Sequence, residues 1–398
     1  MFEFQKLLQE AKDAFQKNFH RDPKWIVTAP GRVNVIGEHT DYNEGFVFPM
    51  AIERNVIICA APAGPEDKIP AGMAKVFSTA KKNPALVKVS GEIHPGPRVD
   101  WFEYVQGVIA GYLAENPSVE VGPFVATIHA NVPLGAALSS SAALEVAVGT
   151  LLEAISGANV DPVRKALICQ HAEHEYAKMP CGIMDQFISA MGEKDHIMLL
   201  DCRDYSTKLV PFTTPDLSIL IINSRVKHQL SGSEYPERRA ACFDSAKILG
   251  AKTLREVTME QLEANKEKLT DVQYRRTRHV VGEIKRTTDA VAAIEAGNYE
   301  LMGQLMYESH DSMRDDFEIS CKELDILVEE AKKIGLAGGV YGSRMTGGGF
   351  GGCTVSLIQT SKMDSIMETI RKNYKAQTGI DPDLFVTRPA QGAHIVQK

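Results

Sequence analysis

Residues 133–145 read Pro-Leu-Gly-Ala-Ala-Leu-Ser-Ser-Ser-Ala-Ala-Leu-Glu, and this stretch constrains the chain more than any other. It follows a β-rich run, Phe124–Ile128, and opens as a loop of Pro, Gly and small residues. Three consecutive serines, Ser139, Ser140 and Ser141, then lead into the apolar run Ala142–Val148. That order predicts strand, loop, cap and a helix running to about Ile155. A helix start carries unpaired N–H groups and a partial positive charge, so an anion can settle there. The hydroxyls add donors, and one can reach a metal ion. A Ser-capped helix without a ligand has the same local sequence, so this stretch alone leaves both readings open.

The rest of the composition narrows the class. With 398 residues, 44% of them hydrophobic, the chain has the length of two domains and can bury a sizeable core. A formal net charge of −7 argues against a nucleic-acid footprint and against an anionic membrane surface. Seven cysteines, an odd number without a CxxC pair, read as reduced thiols. The first residues lack the basic and apolar blocks of a signal peptide, and no apolar run approaches the ~20 residues of a membrane span. The expectation is a cytoplasmic enzyme or binding protein.

In order along the chain, apolar residues at Phe4, Leu7, Leu8, Ala11, Ala14 and Phe15 predict a helix over 3–19. Trp25–Ala29 reads as a strand ended by Pro30-Gly31. Gly31–Gly45 then packs Arg32, Glu38, His39 and Asp41 between glycines, ahead of a strand at Phe46–Ile52. Carboxylates, an imidazole and a guanidinium on a loop between strands suit a hydroxyl-rich ligand, although a solvated hairpin loop has the same look. Trp101 and Tyr104 lie at i, i+3 on a helix and either stack on a purine or pack in the core. A helix over 163–178 carries His171, Glu173, His174 and Glu175 without HExxH or a further ligand at metal spacing, which argues against zinc. Met179–Phe187 breaks that helix and places Asp185 in the first turn of the next, where a carboxylate is favoured, among apolar neighbours. Strands are expected at 196–201 and 217–222, with a domain change near residue 200. Residues 236–333 read as helices with solvated polar faces, 341–352 as a glycine-rich turn followed by a strand at 353–358, and 383–387 as a last strand.

Two motifs mislead. Gly347, Gly349 and Gly352 satisfy GxGxxG, but a strand rather than a helix follows, so dinucleotide binding is rejected. His20-Arg21-Asp22 matches a protein-kinase triplet, yet Val27 stands where its Asn belongs and DFG is absent.

Taken together, the segments are far more specific. Gly31–Gly45 resembles the galactokinase signature almost letter for letter. Pro133–Ala142 resembles the ATP-phosphate loop of the GHMP kinases, the superfamily that includes the galactokinases, and Gly342–Gly352 its third glycine-rich motif. Met179–Phe187 and Ser233–Arg239 also look like galactokinase, and the similarity runs from about residue 20 to the C-terminus. The resemblance implies a mixed α/β (α+β) fold of two domains with the active site in the cleft between them. The N-terminal domain would cover 1–200, joined by the C-terminal strand 383–398, and the second domain 201–382.

It also implies transfer of the ATP γ-phosphoryl group to the anomeric hydroxyl of α-D-galactose, with galactose and ATP as the only partners of a monomer. The implied sugar site is Arg32, Glu38, His39, Asp41, Gly182, Asp185 and Tyr235, with Asp185 as the base and Arg32 beside it. Gly135, Ala136, Ala137, Leu138, Ser139, Ser140 and Ser141 match the phosphate loop, and Trp101 and Tyr104 the adenine pocket. Ser140 and Glu173 match the Mg²⁺ ligands. One position departs from the pattern: galactokinases usually carry Gly immediately before Leu-Ser-Ser-Ser, and here it is Ala137. A positive φ at that position would strain the alanine and touch ATP affinity. Two other activities share these motifs, a catalytically silent galactose sensor that contacts a transcriptional repressor and an N-acetylgalactosamine kinase.

Overall fold

The computed structural model describes residues 2–227 and 234–398. Helix α1 (Phe2–Phe19) precedes strands β1 (Trp25–Asn34), β2 (Phe46–Val47), β3 (Pro49–Pro62), β4 (Met73–Ser78) and β5 (Ala85–Lys88). Then come α2 (Trp101–Glu115), β6 (Phe124–Ala130), α3 (Ser140–Ser156), α4 (Pro162–Glu175) and α5 (Met184–Met191). Strands β7 (His196–Asp201), β8 (Thr207–Pro211) and β9 (Leu217–Lys227) follow. Next are the helices α6 (Glu234–Ile248), α7 (Met259–Ala264), α8 (Asp271–Glu295), α9 (Tyr299–Asp315) and α10 (Lys322–Gly338). The chain ends with β10 (Val340–Thr346), β11 (Gly351–Gln359), α11 (Met363–Thr378), β12 (Asp383–Thr387) and β13 (His394–Gln397).

Three sheets organise these elements: β13-β1-β3-β6-β4-β5, β10-β11-β9-β12 and the small β2-β7-β8. The central strands of the first are buried on both faces, and alternate side chains turn to opposite sides. Ile26, Ile57, Cys59 and Val125 turn to α1, where they meet Leu7, Ala11 and Phe15. Val27, Ile58 and Ala60 turn the other way, onto a core shared with Val108 of α2 and Val146 of α3. Truncating Phe15, which has no exposed surface, to Ala would cost about 3–5 kcal/mol. That main core continues into Ile219, Ile221 and Val355 of the second sheet, so the two sheets are packed through one apolar layer.

The observed elements correct four expectations. Strand β1 does not end at Pro30-Gly31. It runs to Asn34 through an irregularity between Pro30 and Arg32, because Gly31 lets the backbone pass against Leu138, whose carbonyl accepts from the Arg32 N–H at 3.1 Å. The stretch 340–346 is strand β10 rather than turn, so the loop is only 347–350. The segment 383–398 is divided: β12 pairs with β9 in the second sheet, and only β13 pairs with β1 in the first. The polar faces of the helices in 236–333 are not all solvated, since Arg276, His279, Glu283 and Thr287 of α8 are buried.

Candidate active site

The site begins where β1 emerges from its irregularity. Arg32, buried there, spreads its guanidinium over two partners. Nε and Nη2 donate to the two oxygens of Asp185 at 2.7 and 2.8 Å, and Nη1 donates to the Ala137 carbonyl at 2.6 Å. Burial opposes the guanidinium charge, but Asp185 outweighs it and raises the Arg32 pKa. Asp185 lies in the first turn of α5, as the sequence predicts, and also accepts from the Ser139 hydroxyl. A planar two-point pairing of this kind fixes orientation as well as charge.

The loop after β1 supplies three more groups. Gly37 takes φ 103° and His39 φ 61°, which turns Glu38 and His39 inward. Oε1 of Glu38 accepts from the Gly347 N–H at 2.9 Å and the Thr346 hydroxyl at 3.1 Å. His39 Nδ1 pairs with the Tyr42 hydroxyl at 2.7 Å, while its buried Nε2 has no partner. Burial, then the nearby His279, push the His39 pKa down to about 3, so the ring is neutral. Asp41 is pushed up to about 6 by burial and then by the charge of Asp185. A Cβ on Gly182 would lie 1.6 Å from the Asp41 carboxylate, which explains why glycine stands there. Tyr235 closes this side from α6, its ring 5.2 Å from that of His39.

All seven residues expected at the sugar site, Arg32, Glu38, His39, Asp41, Gly182, Asp185 and Tyr235, line one cavity of about 180 Å³. It is smaller than the roughly 300–1,000 Å³ typical of drug-sized ligands, and its lining joins these polar groups, among them the unpartnered His39 Nε2, to Met179, Cys181 and Met184. Ser233, part of the segment matched with Tyr235, lies outside the described residues.

The loop 135–141, expected to hold phosphate, is built differently. Gly135, Ala137 and Ser139 all take positive φ, at 65°, 58° and 57°. Alternate left-handed residues turn successive N–H groups toward a common side, a backbone arrangement suited to anions. Ser139 occupies the N-cap position of α3, but its hydroxyl makes no capping bond and points to Asp185 instead. Ser141 donates to Glu173 Oε1 at 2.9 Å. Ser140, expected beside Glu173, forms no side-chain hydrogen bond among the described residues; the neighbouring Ser141 holds that contact. Trp101 and Tyr104 both lie half-buried on α2, but their rings do not stack on one another. The Tyr104 hydroxyl is pushed up to about 12 by burial, then by the charge of Glu173, which places it near the acidic cluster.

That cluster contains residues the sequence reading missed. Gln186 Nε2 donates to Glu173 at 2.6 Å and to Glu145 at 3.0 Å. Glu145 has no exposed surface and one oxygen without a partner. Burial, then Asp185, push Glu173 up to about 7, and burial, then Glu173, push Glu145 well above its ordinary value. A carboxylate inside the apolar run Leu144–Val148 was a legible warning. Such an electron-rich, uncompensated pocket fits a hard cation. Among the described residues no group of three or more His, Cys, Asp or Glu is placed to hold a metal. Magnesium in kinases needs only one or two protein ligands besides phosphates and waters, and Glu173 with a Ser140 or Ser141 hydroxyl meets that need.

Comparison with known proteins follows this geometry. Residues 103–193 match the GHMP kinases N-terminal domain and 290–376 the GHMP kinases C-terminal family. The crystal structure of Methanococcus jannaschii mevalonate kinase superposes with a TM-score of 0.67 at 18% identity, covering 93% of this chain and all of that one, which shows a common fold. Fold and site thus define a GHMP kinase. Within that superfamily, residues 13–62 match the galactokinase galactose-binding signature. Human galactokinase is 46% identical over 398 residues, covering 98% of this chain and 97% of the relative. Lactococcus lactis galactokinase complexed with galactose has a TM-score of 0.89 at 31% identity, covering 97% of this chain and 99% of that one. The chain belongs to the galactokinase family, and it is therefore an ATP-dependent sugar kinase.

Proposed function

We propose that this enzyme transfers the γ-phosphoryl group of ATP to the anomeric hydroxyl of α-D-galactose, giving galactose 1-phosphate and ADP. The observation that carries the reading is the convergence of seven residues, six of them polar, from three separate segments on one small cavity. Asp185 takes the proton of the anomeric hydroxyl, the oxygen attacks the γ-phosphorus, and the bond to the β-phosphate oxygen breaks. Arg32 fixes the Asp185 carboxylate and presents positive charge where the transferring group passes. The unpaired His39 Nε2, the free oxygen of Glu38 and the Asp41 carboxylate meet sugar hydroxyls. An epimer that leaves one of them unpaired loses ~1–3 kcal/mol.

The phosphate loop 135–141 receives the nucleotide phosphates, with Trp101 and Tyr104 toward the adenine. Mg²⁺, held by Glu173 with Ser140 or Ser141, would neutralise phosphate charge. The intact Arg32–Asp185–Ser139 constellation favours turnover over a silent sensor. Seven free cysteines agree with a reducing, cytoplasmic setting, and among the described residues no helix is long and apolar enough to cross a membrane. We also divide the chain near residue 200, with β13 returning to the first unit and β12 remaining in the second.

The test is ADP release with Mg-ATP and galactose, N-acetylgalactosamine, glucose or mevalonate. Galactose-dependent release well above that with glucose is expected. Binding of sugar and ATP without turnover would replace this reading with the sensor, and preference for N-acetylgalactosamine with the second kinase.

A further inference from the structure

We propose that Arg344 and Glu283 are positioning residues for sugar recognition: from the second half of the chain they hold Glu38 so that one of its oxygens is saturated and the other faces the substrate. The inference deepens the galactokinase reading and rests on it. Arg344, on β10, is completely buried. Its Nη1 donates to the carbonyls of Asn34 and Val35 at 3.1 and 3.3 Å and approaches Glu38 Oε1 at 3.4 Å. Its Nε donates to the Ser309 hydroxyl at 3.1 Å. Glu283, on α8 and equally buried, accepts at Oε1 from the Gly37 and Glu38 N–H groups at 3.0 and 3.3 Å and from Ser309 at 2.6 Å. Arg286 pairs with its other oxygen at 2.8 Å. The backbone turn at 37–38 and the carboxylate it carries are therefore gripped by one fork and one acid from distant elements.

Two features give this network a role beyond filling the interior. A buried ion pair stabilises a fold little better than apolar residues of the same volume, because both charges must leave water. Such an expense is justified where it fixes a geometry that apolar contacts leave loose. Moreover, the fixed object is a ligand group: Glu38 lines the cavity, and all three of its carboxylate bonds fall on Oε1. Oε2 is left to accept a hydroxyl. Release of Oε1 would let the carboxylate rotate and spread its acceptor directions.

The test measures kcat/KM for galactose and its 2-, 3-, 4- and 6-deoxy analogues in the parent, Glu38→Gln, Arg344→Lys and Ser309→Ala proteins, with thermal unfolding of each. Glu38→Gln identifies the analogue whose discrimination depends on that carboxylate. Arg344→Lys keeps the charge but loses the fork, and it should erode discrimination against that same analogue by about tenfold, the worth of a charged hydrogen bond. Discrimination against the other analogues and the KM for ATP should change by less than about twofold, which a purely structural defect would not achieve. Should Arg344→Lys fail to fold, Ser309→Ala, which removes one bond from each of Arg344 and Glu283, is expected to show the same pattern at smaller amplitude. Equal losses for every sugar, or unchanged discrimination in a variant of lowered stability, would overturn the inference while leaving galactokinase activity standing. A parent enzyme that phosphorylates no galactose would overturn both.

Discussion

The proposed sugar side and the proposed phosphate side of this site are made from different material. The sugar cavity is assembled from buried side chains whose charges are set against one another, Arg32 on Asp185 and Arg344 on Glu38. The phosphate loop is assembled from backbone: three left-handed residues within five positions and a helix start. Selectivity among epimers requires individual acceptors at fixed points, which only side chains supply. A phosphate chain, alike in every nucleotide, can be held by repeated N–H groups. The difference teaches that damage on the sugar side should be large and specific, and that on the phosphate side small and graded.

The largest effect expected is at Asp185, where the two sides meet. Asp185→Asn retains the shape but accepts no proton, so kcat should fall by roughly 10²–10⁴-fold, the range of general-base catalysis. Calorimetry should still register galactose and ATP. A liganded variant with kcat within a few-fold of the parent would remove the base role and leave Asp185 an orienting charge.

Asp41 gives a prediction with a pH signature. Its folded pKa is raised from 3.8 to about 6. Between these values the folded state binds more protons than the unfolded one, so this carboxylate lowers stability as pH rises from about 4 to 6, with no further change above. Asp41→Asn should therefore stabilise the sugar-free enzyme at pH 8 by on the order of 2–3 kcal/mol, and hardly at all at pH 4. Galactose affinity should fall in the variant, and in the parent it should fall below about pH 6 as the acceptor is protonated. Urea unfolding at the two pH values checks the first part. Equal stability at pH 8 would show that the buried charge is better compensated than its surroundings suggest.

Ala137 should give the smallest response and tests the claim that the phosphate side is graded. Its φ of 58° strains an L-residue by about 1–2 kcal/mol, which Ala137→Gly relieves. Glycine gains more freedom in the unfolded chain, roughly 0.4–1 kcal/mol, which nearly cancels that relief. The methyl also sits against the backbone of Gly347 and Gly352, where a Cβ would meet it at 2.7 and 2.9 Å. The KM for ATP should fall or stay the same, with galactose affinity untouched, in steady-state kinetics. A large rise in the KM for ATP would show that the methyl is fitted to those two glycines.

How much of this was legible in the chain follows from the range of the forces involved. The helix start after the serine run and the first turn at Asp185 are local patterns of cap and dipole and lie where the structure has them, whereas of Gly31–Gly45, expected as a loop, residues 31–34 extend β1. The positive φ at Ala137 was suspected because a glycine was missing from a familiar run. Misreadings arose where a local rule met a distant partner. Pro30-Gly31 stops a strand in isolation, but here Leu138 and Ala51 supply the pairing that carries β1 onward. Ser139 is a good N-cap by type, yet Asp185 takes its hydroxyl. On α8, Glu283 and Arg286 resemble an ordinary surface pair at i, i+3, and nothing in their spacing reveals the turn at Gly37 arriving against Glu283.

The sequence by itself determined the family, and it singled out Arg32, Glu38, His39, Asp41, Gly182, Asp185 and Tyr235, which the fold brings to one cavity, because those groups are held in short segments with recognisable spacing. Tertiary structure alone decided which serine meets Glu173, that Glu145 is a buried acid beside it, and that Arg344 and Glu283 grip the turn at Gly37-Glu38. Those contacts join residues up to 310 positions apart. Their energies come from desolvated charge, which depends on what the folded chain excludes from water rather than on any neighbour along it.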